Sequence, residues 1–169
     1  MACAQWRDNV VIGANRSTIR QNYADWIHVP AGAPQMEMAE YLDSAEAEDE
    51  GATLMFAVRS GTSDLRVDRD RRFVPNREDR CCGLCEGRHV EDAHHVFNVC
   101  PAHSAARRTL LSKLPPALRD LQDDQVFNAV LGSAAMRDLC PDDVTRRAAI
   151  HATKTFLVQV FRLRRRRGA

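Results

Sequence analysis

Residues 81–101 read Cys81-Cys82-Gly-Leu-Cys85-Glu-Gly-Arg-His-Val-Glu-Asp-Ala-His-His-Val-Phe-Asn-Val-Cys-Pro101. Four of the six cysteines fall in this stretch, with three of the six histidines, and His103 lies just beyond it. Cys82, Cys85, His95 and Cys100 give the pattern C-x2-C-x9-H-x4-C. The first pair has the spacing of a zinc knuckle, two thiolates on one tight turn whose backbone N–H groups can donate to sulfur. The second pair supplies the other corners of a tetrahedron. Soft thiolates with one imidazole select Zn²⁺ over hard cations such as Mg²⁺ or Ca²⁺. Cys81, His89, His94 and His103 stand close enough in sequence to act as substitute ligands.

Two other readings of the pair are weaker. A redox C-x-x-C needs a strand before it and a helix straight after it. Here polar segments, Pro75-Asn-Arg-Glu-Asp-Arg80 and Glu86-Gly-Arg88, flank it on both sides. Buried free cysteines would need no such spacing. Four protein ligands leave no open position for a water nucleophile, so the expected metal is a fold nucleus. Glu91 or Asp92 is expected to cap a short helix from Ala93, or to accept from the ligand histidine's other ring nitrogen. His95 and Cys100 are five residues apart, about 140° around an ideal helix. The helix is therefore expected to loosen at Cys100, with Pro101 opening the next one.

These residues resemble a known segment. Cys82-Gly-Leu-Cys85 followed by Val90-Glu-Asp-Ala-His-His-Val-Phe-Asn-Val-Cys-Pro101 is similar to the cysteine-histidine segment downstream of the reverse transcriptase in non-LTR retrotransposon polyproteins. That segment reads C-x2-C, a polar stretch, an acidic pair, a histidine, four residues and then C-P. Arg59-Ser-Gly-Thr-Ser-Asp-Leu-Arg-Val-Asp68 resembles the family's R-x-G-T/S-H-x-L-x-x-E approach, with Ser63 or Asp64 where the family has histidine. The doubled Cys81-Cys82 also departs from its single cysteine. The resemblance covers residues 54–164 and, more faintly, 23–42. It implies a zinc-stabilised, non-catalytic module that touches RNA or DNA, or packs on a polymerase.

The chain has 169 residues, 24 Lys+Arg, 23 Asp+Glu and 44% apolar residues, which suits one modest globular domain. It has no room for a polymerase or an endonuclease. Tyr23-Ala-Asp-Trp26 lacks the second aspartate of a polymerase Y-x-D-D. Pro141-Asp-Asp143 lacks the downstream carboxylate and lysine of a restriction-like nuclease, and reads as a helix cap. With no P-loop or nucleophile elbow either, no enzyme activity and no small-molecule substrate are expected.

Charge is uneven along the chain. Residues 1–50 carry three basic and nine acidic side chains, whereas residues 51–169 carry 21 and 14. Arg164, Arg165, Arg166 and Arg167 form the densest run and are the candidate nucleic-acid contacts, although a solvated tail has the same composition. The alternative is a protein-interaction module scaffolded by the same zinc. No apolar run suits a membrane span and no secretory leader is visible, so a nuclear or cytoplasmic location is expected.

The expected fold is mainly α, a small helical domain built around the knuckle. It divides into an acidic, loose leader over 1–33, an acidic helical segment over 34–61, and a zinc-nucleated domain with a basic tail over 62–169. Within 34–61, Met36, Ala39 and Leu42 mark a first helix, Gly51 a break, and Ala52 to Arg59 a second helix closed by Gly61. Residues 62–80 read as a polar connector. Helices follow from Ser104 to Leu114, Ala117 to Leu121 and Asp124 to Leu131, with a break at Gly132. The last helix is capped by Asp142 or Asp143 and shows Val144, Ala148, Ala149, Ala152, Phe156, Val160 and Leu163 at helical spacing. Cys3 and Cys140 are expected to tolerate serine.

Overall fold

Residues 49–131 and 134–168 are described by the computed structural model. The leader, the helix expected over 34–48, Cys3 and the break at Gly132 lie outside the described residues. The first element, α1, spans Glu50–Ser60. Asp49 opens it by accepting from the Ala52 N–H at 2.9 Å. Gly61 closes it at φ 65°, and the Thr62 N–H returns to the Ala57 carbonyl at 2.9 Å. Gly51 does not break the chain as expected; it is the second residue of this helix. The physical reason is a close approach. A Cβ on Gly51 would stand 2.6 Å from the Lys154 Cβ, so only glycine lets the two backbones come this near.

The polar connector is more ordered than its composition suggests. It folds into a single turn, α2 (Arg66–Arg69), and two 3₁₀ turns over Asp70–Arg72 and Arg77–Asp79. Leu65 anchors it by complete burial. The one β-bridge among the described residues pairs Cys81 with Val90 in antiparallel sense. A helical run from Ala93 then widens into a π turn over His95–Val99. Pro101–His103 makes a 3₁₀ turn leading into α3 (Ser104–Lys113). Short helices α4 (Pro116–Arg119), α5 (Asp123–Val130) and α6 (Ala134–Leu139) follow. The longest element, α7, runs from Asp143 to Arg167. The class is mainly α, as the periodicity predicts.

Helix α7 is the member on which the others pack, chiefly α1 and α3 and to a lesser extent α5. Asp142 caps it by accepting from the Thr145 N–H at 2.9 Å, which settles the role of Pro141-Asp-Asp143. Ala149, Ala152, Phe156 and Val160 are buried as the stripe predicts, and Leu157 and Phe161 join them. Val144 is 80% exposed and Ala148 is also exposed. The stripe therefore packs only from Ala149 onward, because the described elements leave the first turn uncovered. Met55, Leu110, Leu118, Val130 and Met136 complete the core from the other helices. Cys140 belongs to it too. It fills space as a small apolar residue, so serine there would bury a hydroxyl, contrary to expectation.

Phe97 joins the cysteine-histidine unit to this core. Its ring lies 4.7 Å from Phe156 and 5.3 Å from Phe127, centroid to centroid. Truncating an aromatic in such a position costs about 3–5 kcal/mol. No helix among the described residues is long and apolar enough to cross a membrane.

Gly51→Ala separates two effects. Helix propensity alone favours alanine by about 1 kcal/mol, whereas the clash with Lys154 costs about 1–3 kcal/mol. Urea unfolding is expected to show net destabilisation; a gain in stability would mean that α1 and α7 lie farther apart than described.

Candidate metal centre

Two backbone devices bring the cysteine-histidine residues together. The first closes the knuckle. The Cys82 N–H donates to the His89 carbonyl at 2.8 Å, and the Glu91 N–H donates to the Arg80 carbonyl at 2.9 Å. The loop between turns through Arg88, which has a positive φ of 45°. Inside it the Leu84 N–H donates to the Cys82 sulfur at 3.4 Å, as a knuckle requires.

The second device is the π turn. Asp92 Oδ1 accepts from the His95 N–H at 2.8 Å and starts the helical run. The Cys100 N–H then donates to the His95 carbonyl at 2.7 Å, a bond spanning five residues instead of four. In a straight α-helix these two side chains would diverge by about 140°. The wider turn removes most of that divergence, so the expected loosening takes the form of a π turn. Arg107 secures the corner by donating to the Asn98 and Cys100 carbonyls.

Cys82, Cys85, His95 and Cys100 consequently converge, with every ligand atom within 4.8 Å of every other. The Cys82 and Cys100 sulfurs are 3.9 Å apart, and the Cys85 sulfur is 3.5 Å from His95 Nε2. These are the distances of donors sharing one coordination sphere, and the cluster can hold a metal ion. Burial pushes the Cys82 thiol up to about 12 and raises Cys100 as well. Burial also lowers His95. Cys82 and Cys100 therefore favour the neutral thiol until a cation makes the thiolate form favourable.

None of the substitute ligands enters the cluster. The Cys81 thiol donates to the Glu78 carbonyl at 3.1 Å. His89 lies against the His95 ring at 5.3 Å, and His94 meets the edge of Phe127 at 6.3 Å. His103 is buried, with neither ring nitrogen hydrogen-bonded to a described residue. Of the two roles expected for Glu91 or Asp92, the second, acceptance from the ligand histidine, is not taken, since His95 Nδ1 has no partner among the described residues. Asp92 serves as the cap instead.

Glu91 has a different task. It is wholly buried, and its side chain forms an ion pair with Arg164, which is 1% exposed. Glu91 Oε2 also accepts from the Arg66 N–H at 3.0 Å, while Arg164 donates to the Asp64 carbonyl at 2.7 Å. Arg164 is thus withdrawn from the candidate nucleic-acid contacts, because it lies inside the protein holding α7 to the cysteine-histidine unit. Leu157, Val160 and Phe161 are followed at the next helical step by residue 164. Arg165 remains exposed but pairs with Glu50, which also binds Arg162 at 2.8 Å. Arg166 and Arg167 are exposed. Arg167 lines a cleft of about 530 Å³ beside the cluster, with Cys85, His89 and Pro101.

No protein-family profile, curated protein or solved structure matches the chain.

Burial holds His103 down at about 4 from its ordinary 6.5, with the Arg164 and Arg107 cations adding to the effect. A histidine protonated more readily when unfolded makes stability fall as pH drops from about 6.5 to about 4. In urea titrations across this range, His103→Leu is expected to show a shallower decline than the wild type, by up to one proton. Identical slopes would show that His103 takes up its proton in the folded chain at no cost.

Proposed function

We propose that the chain is a zinc-stabilised, non-catalytic module that binds nucleic acid weakly. On this reading it is a remnant or domesticated fragment akin to the C-terminal region of non-LTR retrotransposon reverse transcriptase proteins, working in the nucleus or cytoplasm. The carrying observation is the spacing of the four donors. Zinc bonds of about 2.3 Å to sulfur and about 2.0–2.1 Å to nitrogen place tetrahedral neighbours about 3.8 Å apart for two sulfurs, and about 3.5 Å for sulfur and nitrogen. The observed separations of 3.9 and 3.5 Å fit both. Three thiolates and one imidazole favour zinc among divalent ions. When bound, the ion would hold the knuckle against the π turn as a Lewis acid with a filled sphere, leaving no site for water activation.

Support for nucleic acid comes from the exposed Arg166 and Arg167 at the end of α7, with Arg167 reaching the cleft beside the cluster. Two or three cations give weak, salt-sensitive binding. A second reading, a protein-interaction module scaffolded by the same metal, draws on the apolar part of that cleft, where Leu84 and half-exposed Val99 stand.

Native mass spectrometry is expected to find one zinc per chain, removable by chelator, with loss of helical signal from the middle of the chain. Cys85→Ser should abolish zinc retention and Cys81→Ser should leave it intact. Retention by Cys85→Ser, or loss with Cys81→Ser, would overturn the ligand set.

Nucleic-acid binding is tested by anisotropy with short oligothymidylate at several salt concentrations. Changing both Arg166 and Arg167 to Ala should weaken binding and flatten the log–log salt slope by about 1.4. Absence of binding by the wild type even at low salt would favour the protein-interaction reading.

A further inference from the structure

Phe73 is 83% exposed, further out than any other large apolar side chain among the described residues. It does not sit on a slack loop. The Phe73 and Val74 N–H groups both donate to the Asp70 carbonyl, at 2.9 and 2.8 Å. The Arg80 guanidinium then grips the segment through three carbonyls, donating to Val67 and Val74 at 2.9 Å and to Pro75 at 3.0 Å. A bare aromatic ring is held into water by a fixed clamp, which gains nothing for folding from the ring itself.

Charge around the ring is sorted. Arg69 engages Asp70 at 2.8 Å and Asp64 at 3.8 Å, and Arg66 reaches Asp70 at 3.8 Å. Asp68 accepts from the Ser63 hydroxyl at 2.6 Å, and burial raises its carboxyl. The acids of this turn are therefore occupied. Arg71 and Arg72, immediately before Phe73, are exposed; Arg71 acts on Asp68 through space, and neither forms an ion pair within 4.0 Å among the described residues. A cleft of about 440 Å³ runs from Ser63 and Asp64 to Arg72 and Phe73.

We propose that Phe73 is a stacking platform for an unpaired base of single-stranded nucleic acid, with Arg71 and Arg72 holding the phosphates on either side. The combination of one aromatic face and adjacent guanidiniums matches the two recurrent parts of a single strand. Duplex bases are already stacked and offer no face to the ring. A protein partner would call for a broader apolar patch than one isolated ring. The inference rests on the nucleic-acid reading above and places the contact on α2's following turn, apart in sequence from the C-terminal arginines.

The test uses the full zinc-loaded chain and anisotropy at low salt, with oligothymidylate, a duplex of equal length and an acidic peptide as probes. Phe73→Ala is expected to weaken oligothymidylate binding about 10-fold, within the range for loss of one stacked base, and to leave duplex binding unchanged. Phe73→Tyr should restore it, and Arg71→Ala with Arg72→Ala should weaken both probes. Because the ring is exposed, these variants should retain zinc and fold normally. If Phe73→Ala binds as the wild type does while the Arg166→Ala, Arg167→Ala variant loses binding, the platform is refuted and the nucleic-acid reading survives. If the wild type binds neither nucleic acid, both fail together. Selective loss of peptide binding would overturn the platform in favour of a protein partner.

Discussion

The constraint that organises this protein is angular. His95 and Cys100 have to face one point, and an α-helix turns them about 140° apart. The chain meets the requirement by widening a single turn so that the Cys100 N–H reaches back five residues to His95. From that turn Phe97 enters the core against Phe127 and Phe156. The donor cluster and the hydrophobic interior are thus two sides of the same few residues. Disturbing one displaces the other.

A second tie reinforces the first. Glu91 leaves the knuckle, and Arg164 arrives from α7, 73 residues later, to meet it inside the protein. Burying such a pair gains little over an apolar contact, but breaking it leaves an unmatched charge, at about 3–5 kcal/mol. The pair works as a register device. It admits one placement of the last helix against the cysteine-histidine unit, and the Arg66 N–H and the Asp64 carbonyl extend it into the connector. At the start of α1, Asp49 binds Lys154 at 2.8 Å and Glu50 bridges Arg162 and Arg165. Much of the basic surplus in the second half of the chain is consequently spent internally. The arginines left for a polyanion are fewer than the composition suggests.

A run of arginines in sequence is not one surface in the fold. Arg164 to Arg167 turn about 300° around α7, so the four cannot share an environment. Val144 and Ala148 show the converse, apolar residues in the right period that no described element covers. A glycine inside a helix looks like a break until the neighbouring backbone that needs its missing side chain is known.

Local chemistry was legible because it is written within a few residues. The ligand pattern, the Asp142 cap, the Gly61 terminator and the start at Pro101 each depend on spacings of five residues or fewer, apart from the ten-residue reach from Cys85 to His95. Sequence alone therefore determined the helical class, the cysteine-histidine spacing and the extent of the last helix. Which histidine faces the cluster, which arginine goes inside, and why Phe73 stands in water were decided only by tertiary structure. The arginine depends on Glu91, 73 residues away, and the other two on how several turns pack together, because a side chain's burial is a property of what folds over it.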